Sequence, residues 1–251
     1  FSDGAGNTNN DGSDANNSVT LLTQRGNDID GEAAGDASGT SVSISEDGTV
    51  VAIGADGNDA NGNLSGHTRI YAWNSDTNSW EQRGSDIDGE AAGDLSGKSV
   101  SLSADGSIVA IGAHDNDGNG NKAGHVRIYQ WDGSSWNQLG NDIDGEAAGD
   151  GEHSGSFDKW VSLSADGTIV AIGANGNDGN GVDSGHVRIH QWDGSAWNQL
   201  GNDIDGEAAW DRFGNSVSLS NDGTIVAVGG YFNNGNGTDA GHVRIHQWDG
   251  S

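Results

Sequence analysis

Apolar and polar residues alternate in short runs along the chain, and this pattern predicts β-strands. In residues 99–103 (SVSLS) every second residue is apolar, as in a strand with one buried face. A tight turn at Asp105 and Gly106 follows, and the apolar run 108–111 predicts a strand buried on both faces. Residues 124–131 (GHVRIYQW) alternate again, and residues 136–140 (WNQLG) predict a short, more polar edge strand. The unit therefore reads as four antiparallel strands, and no stretch has a helical period.

This unit occurs four times. The heptapeptide DIDGEAA begins at residues 28, 86, 142 and 203, so successive copies are 58, 56 and 61 residues apart. A repeat of this size predicts a propeller or a solenoid, and four antiparallel strands per unit favour the propeller. We predict an all-β fold, a β-propeller-like array of four four-stranded blades at approximately 28–85, 86–141, 142–202 and 203–251.

The two ends of the chain are offset by one strand. The last unit stops before its fourth strand, whereas residues 22–26 (LTQRG) match the fourth-strand segment 80–84 (WEQRG). Residues 19–26 are therefore predicted to close the last blade, either of the same molecule or of a neighbour in a head-to-tail chain. Residues 1–17, rich in Gly, Asn and Asp, are predicted to be a flexible leader before one propeller domain at 18–251.

Composition excludes several classes of function. The net charge of −28 argues against nucleic acid as a partner, because phosphate binding requires a basic face. The absence of cysteine excludes disulfides, thiol catalysis and zinc–thiolate sites. The sequence contains no run of 18 apolar residues, so it predicts no membrane-spanning helix. The chain begins at Phe1 and contains no Met, so a processed product or a fragment is expected.

Each heptapeptide opens what we call an acidic string, in which carboxylates occupy relative positions 1, 3, 5 and 9. Alternate residues of a tight loop can bring carboxylates to one point, and Ca²⁺ takes six to eight oxygens, so the strings predict calcium sites. Bound Ca²⁺ would also relieve the repulsion between these acids. The alternative is a turn between blades in which the acids accept backbone hydrogen bonds. The predicted ligands are Asp28, Asp30, Glu32 and Asp36; Asp86, Asp88, Glu90 and Asp94; Asp142, Asp144, Glu146 and Asp150; and Asp203, Asp205, Glu207 and Asp211.

Three further features are candidates for binding. Tryptophans flank a short turn in successive units, and such pairs either stack on sugars or pack across a hairpin; they include Trp131 and Trp136, and Trp192 and Trp197. A histidine follows glycine at one position of every unit: His67, His125, His186 and His242. These histidines either make a structural hydrogen bond to a neighbouring strand or bind a metal around the propeller axis. Glycosylation sequons stand at Asn16, Asn63 and Asn236.

The fourth unit resembles a known repeat family. Phe213 and Gly214, the apolar run 225–230, and Gly241 followed by His242 resemble the FG-GAP repeat, which builds the propeller of integrin α subunits and of many secreted microbial and algal proteins. Ser-Gly replaces Phe-Gly at residues 38–39 and 96–97. The resemblance implies an extracellular or cell-surface propeller used in adhesion or assembly, often loaded with calcium.

No catalytic grouping stands out. Every candidate acid or base recurs in every unit, and catalysis rarely needs four equal copies. We predict a non-enzymatic, extracellular structural or adhesive module that self-associates, as a homo-oligomer or filament, and is stabilised by Ca²⁺. The alternative is a multivalent carbohydrate-binding propeller that recognises glycans through the tryptophan pairs.

Overall fold

The computed structural model describes residues 23–148 and 161–250, and the regular secondary structure in these ranges is β-strand throughout. The strands form four antiparallel sheets, one for each repeat. The first contains β1 (Ser41–Ile44), β2 (Val50–Ala55), β3 (His67–Asn74), β4 (Ser79–Gln82) and β5 (Ile87–Asp88). The second contains β6 (Ser96–Leu102), β7 (Ile108–Ala113), β8 (His125–Trp131), β9 (Trp136–Gln138) and β10 (Ile143–Asp144). The third contains β11 (Val161–Leu163), β12 (Ile169–Ala174), β13 (His186–Trp192), β14 (Trp197–Gln199) and β15 (Ile204–Asp205). The fourth contains β16 (Phe213–Leu219), β17 (Ile225–Gly230) and β18 (His242–Gln247).

The prediction of four strands per blade missed a short fifth strand, which lies inside the acidic string in the first three sheets. The fourth strand β4 pairs with residues 71–74 of β3, which leaves the beginning of β3 free at that edge. The string occupies this edge as β5, with His67 opposite Asp88 and Thr68 opposite Ile87. The same arrangement recurs for β10 on β8 and β15 on β13. The acidic strings that begin at residues 86, 142 and 203 therefore each link two blades and also complete the earlier one.

The core lies between successive sheets. Val50, Ala52 and Ile70 of the first sheet are buried against Val100 and Leu102 of the second. Equivalent clusters join the second sheet to the third and the third to the fourth. The innermost strands are also tied by side chains, since the Ser43 hydroxyl accepts a hydrogen bond from the Leu102 amide at 2.9 Å. This link recurs between β6 and β11 and between β11 and β16. Apolar burial and repeated polar links thus hold neighbouring blades together.

The predicted closing strand is only partly within the described residues. Residues 19–22 lie outside them, and residues 23–26 are not part of a strand. The Arg25 carbonyl accepts a hydrogen bond from Trp80 Nε1 at 2.9 Å, just as the Leu139 carbonyl accepts one from Trp197 at 2.8 Å. Arg25 therefore occupies the place that the end of a preceding blade's fourth strand occupies in the inner blades. Among the described residues the last sheet has three strands, so its closure stays a prediction. The leader at 1–17 and the insertion in the third unit, at 149–160, also lie outside them.

Candidate functional site at the blade junctions

The ninth acid of each described string stabilises a turn. Asp36 is buried, and its Oδ2 accepts hydrogen bonds from the Ala33 amide at 2.9 Å and from Asn58 Nδ2 at 3.2 Å. Asp94 and Asp211 make the same two contacts in their own repeats. Asp150 lies outside the described residues. At this position the acids accept backbone and amide hydrogen bonds, as the turn interpretation expected.

The first and third acids of a string have different partners. Asp28 Oδ1 accepts a hydrogen bond from Gln24 Nε2 at 2.7 Å, and Asp142 and Asp203 accept equivalent bonds from the preceding glutamines. The side chain of Asp30 is exposed, while its backbone carbonyl accepts a 2.6 Å hydrogen bond from Arg69 Nη2. The backbone carbonyls of Asp88, Asp144 and Asp205 accept from the arginines of their own repeats.

The four acids of one string are therefore distributed over separate environments. In the described part of the chain, three groups of three potential ligands have donor atoms within 4.8 Å of one another, and each combines acids of two different strings with one histidine. Ca²⁺ requires six to eight oxygen ligands. The donor set predicted from positions 1, 3, 5 and 9 of a single string is not one of these three groups, and calcium binding by the strings stays a prediction.

The structure instead brings together what we call the junction cluster: Glu32, His67 and Asp86. His67 opens β3 and is fully buried, and its Nδ1 lies 3.9 Å from Glu32 Oε2 and 3.8 Å from Asp86 Oδ2. The other oxygen of Glu32 lies 3.7 Å from Arg69 Nη1. Both carboxylates are partly exposed, so the cluster has a buried imidazole at its base and an open acidic rim.

The junction cluster recurs at each described boundary between blades. His125 Nδ1 lies 3.8 Å from Glu90 and 3.5 Å from Asp142, and His186 Nδ1 lies 3.9 Å from Glu146 and 3.7 Å from Asp203. In the fourth repeat His242 lies 3.7 Å from Glu207. In the sequence these histidines and these acids are separate repeated features, and nothing in the local pattern pairs them. Their recurrence once in every repeat was a signal of common geometry, but their contact depends on how consecutive blades pack.

The tryptophan pairs pack at the same junctions. The rings of Trp131 and Trp136 are 5.4 Å apart, and Trp136 Nε1 donates a 2.7 Å hydrogen bond to the carbonyl of Arg83 in the preceding repeat. Trp192 and Trp197 repeat this arrangement, with ring centroids 5.5 Å apart. These contacts are those of the cross-strand packing alternative. Carbohydrate binding at these residues stays a prediction.

The sequons differ in their surroundings. Asn63 and Asn236 are not buried, and Asn63 Nδ2 donates to Asp59 Oδ1 at 3.3 Å, while Asn16 lies outside the described residues. None of the residues at 23–148 and 161–250 belongs to a helix long and apolar enough to cross a bilayer.

Among the described residues, the first and last blades expose apolar faces that the inner blades bury. In the first blade the side chains of Val42 and Ile44 are 66% and 59% exposed, whereas their counterparts Val100 and Leu102 are each 8% exposed. In the last blade Val243 and Ile245 are 67% and 71% exposed. The counterparts of that second pair, Val126 and Ile128, are buried.

Comparison with solved structures supports the fold. A candidate 6-phosphogluconolactonase from Bacteroides uniformis aligns with a TM-score of 0.50 and 13% identity over 82% of this chain and 49% of its own. Hydrazine synthase from Kuenenia stuttgartiensis aligns at 0.49 with 16% identity over 84% and 58%. TolB from Acinetobacter baumannii aligns at 0.45 with 20% identity over 86% and 42%. The chain thus spans about half the length of these structures, and at 13% identity the first alignment indicates the fold alone. Among curated proteins no match was found.

The sequence comparison agrees with the resemblance noted above. Residues 203–245 match the FG-GAP repeat. The first three strands of the other units have the same order as β16, β17 and β18, and their histidine–glutamate contacts match that of His242 with Glu207. The chain is therefore an all-β, propeller-like array of four related units that carries an FG-GAP repeat at residues 203–245.

Proposed function

We propose that this chain is a non-catalytic, extracellular structural module that self-associates end to end. The last blade of one copy packs on the first blade of the next, and repetition of this contact builds a head-to-tail assembly. The observation that carries the proposal is the pair of exposed apolar faces at the two ends, Val42 with Ile44 and Val243 with Ile245. Exposed apolar patches of this kind mark interaction surfaces.

The two faces are complementary halves of a contact that the molecule already makes. Each inner junction packs the second and third strands of one blade against the first strands of the next. Val243 and Ile245 belong to the third strand of the last blade, which has no following blade to pack against among the described residues. Val42 and Ile44 belong to the first strand of the first blade, which has no preceding blade in the described part of the chain. Because the halves differ, the contact is heterologous, and it generates rings or open filaments.

Polar groups at the two ends match in the same way. At each inner junction a serine of the first strand accepts a hydrogen bond from the next blade, as Ser43 does from the Leu102 amide. Ser218 of the last blade is the exposed equivalent of Ser43. Its partner in the next copy would be the amide of Ile44, the counterpart of Leu102. The end-to-end contact therefore offers both apolar burial and a matching hydrogen bond.

Sedimentation velocity over a range of protein concentrations tests the assembly. The unchanged chain is expected to form species larger than a dimer, while V42D/I44D and V243D/I245D are each expected to be monomeric. Mixed together, these two variants retain one intact pair of faces and are expected to stop at a dimer. D76N, in an exposed turn of the first blade, is the control that should assemble normally. A chain that stays monomeric at every concentration, or a mixture that forms no dimer, would contradict the proposal.

A hollow of about 340 Å³ beside Trp136 supports carbohydrate binding as a second candidate. Ser134, Ser135, Asp86 and Asp88 also line it, so an aromatic face stands next to hydroxyl and carboxylate groups. Aromatic rings and such polar groups together suit a sugar ring. A glycan array probes this candidate, and binding that survives W136A would remove it.

A further inference from the structure

We propose that each complete junction cluster binds one divalent transition-metal ion of the Zn²⁺ class. The three sites consist of Glu32, His67 and Asp86; Glu90, His125 and Asp142; and Glu146, His186 and Asp203. Each takes one acid from the string before a blade, one histidine from the blade, and one acid from the string after it. The ion would therefore hold together three chain segments that are far apart in sequence.

The unpartnered imidazole of His67 is the observation that points to a ligand. His67 is fully buried, and neither of its ring nitrogens has a hydrogen-bond partner among the described residues. Its Nδ1 faces two carboxylate oxygens at 3.8 and 3.9 Å, which is beyond the usual 2.7–3.2 Å of a hydrogen bond. A buried polar atom without a partner costs free energy, and an ion between the three groups would remove that cost.

The distances suit a small ion. Ligand atoms about 2.0–2.2 Å from a tetrahedral Zn²⁺ are about 3.4 Å apart. The Nδ1-to-oxygen distances of the His125 cluster, 3.5 and 3.8 Å, need only a small contraction to reach this value. The exposed side of Glu90 leaves room for water as a fourth ligand.

The donor types select the class of metal. Imidazole nitrogen suits Zn²⁺ and its first-row neighbours, whereas Ca²⁺ and Mg²⁺ prefer an all-oxygen shell. Two carboxylates and a neutral imidazole leave one bound Zn²⁺ with no excess charge. The neighbouring Arg69 contacts the outer oxygen of Glu32, so it can orient this carboxylate without occupying the position that faces His67.

Metal counting on the untagged, full chain tests the proposal. After treatment with chelator, dialysis against ZnCl₂ and removal of excess metal, elemental analysis is expected to find three ions per chain. The nearly isosteric variants E32Q and D86N should each retain two ions. D30N is the matched control, because Asp30 belongs to the same acidic string but to no junction cluster, and it should retain three.

The outcomes separate this site from the alternatives. Absence of bound Zn²⁺, or three ions in both E32Q and D86N, would overturn the proposal. A parallel count with CaCl₂ that finds one ion lost in D30N would overturn it in favour of a single-string calcium site. Circular dichroism of each variant establishes that a lost ion is not the result of a lost fold. Because the three clusters lie within one chain, protein that stays monomeric at every concentration and still binds three ions would refute only the end-to-end proposal.

Discussion

The α-carbon of Gly54 faces the carbonyl oxygen of Gly97 across the first blade junction with no room for a side chain. A Cβ built on Gly54 would lie 1.8 Å from that oxygen and 2.4 Å from Ser41 Oγ. The equivalent approach, of Gly173 to Gly214, would place a Cβ 2.0 Å from the carbonyl oxygen. Gly54 and Gly173, which occupy the same position in their repeats, are thus required by the contact between blades.

We expect G54A to destabilise the chain by about 3 kcal/mol or more, because the obstructing atom belongs to the backbone of the next blade. Urea unfolding followed by tryptophan fluorescence measures the loss. G93A is a suitable comparison, since Gly93 has a φ of +91° but nothing within 4 Å of an added Cβ. It should cost about 1–2 kcal/mol, from the left-handed backbone alone. Equal losses in the two variants would show that the blades can separate to admit the methyl group.

The free energy of unfolding is expected to decrease as the pH is lowered, partly because of His190. Burial and, to a smaller extent, the Arg188 charge lower the pKa of His190 to about 4, although Asp203 opposes the shift. The unfolded histidine has a pKa near 6.5, so below that pH the unfolded state binds more protons than the folded one. The contribution is present above about pH 6.5 and is lost as pH falls towards 4, by roughly 3 kcal/mol in all.

The matched variant for this prediction is H190Y, because tyrosine occupies the same strand position in the first two blades, at Tyr71 and Tyr129. Urea unfolding at pH 7.5, 6, 5 and 4 should give a shallower pH dependence for H190Y than for the unchanged chain. Parallel curves for the two proteins would mean that His190 does not remain neutral in the folded state.

Removal of the Asp36 carboxylate should destabilise the first blade without any involvement of calcium. D36A leaves the Ala33 amide and Asn58 Nδ2 without this buried acceptor, at a cost of about 1–3 kcal/mol. The loss should be equal in EDTA, in NaCl and in CaCl₂ at matched ionic strength. D30N should change stability by less than about 0.5 kcal/mol, since that side chain is exposed. A D36A penalty that appears in CaCl₂ but disappears in EDTA would instead assign Asp36 to a calcium shell.

Trp136 is expected to contribute to stability through both its ring and its indole N–H. W136F removes the hydrogen bond to the Arg83 carbonyl and should cost about 1 kcal/mol. W136A also removes packing against Trp131 and should cost about 3 kcal/mol. Thermal and urea unfolding measure both. If the two variants were as stable as the unchanged chain, Trp136 would be free to serve a ligand and the packing account would fail.

Local sequence patterns were sufficient for the main strands and for the repeat. Alternation at residues 99–103 and the apolar run at 108–111 correspond to β6 and β7, and the turn between them is closed by the Asp105 side chain. The alternation of apolar and polar residues did not predict the strands that are only two residues long. Ile87 and Asp88 lie inside a polar string, and only the free edge of β3 makes them β5.

The junction cluster was beyond local patterns for a related reason. Glu32, His67 and Asp86 come from three segments separated by up to 54 positions, and each stands next to residues with stronger local signals. The carboxylates at relative positions 1, 3, 5 and 9 of each string suggested a loop that binds an ion by itself. The junction cluster instead combines acids of two different strings. It can be predicted only if one knows that consecutive sheets face one another.

The incomplete cluster at the end of the array would make metal content a measure of how copies are joined. His242 and Glu207 lie 3.7 Å apart and have no third ligand among the described residues, while Asp28, held by Gln24, belongs to no described cluster. If the last blade of one copy meets the first blade of another, Asp28 stands where Asp86, Asp142 and Asp203 stand at the inner junctions. Each joint would then add one ion. The ratio of metal to protein would rise from three for separate copies towards four for a long open polymer, and a closed ring would reach four whatever its size.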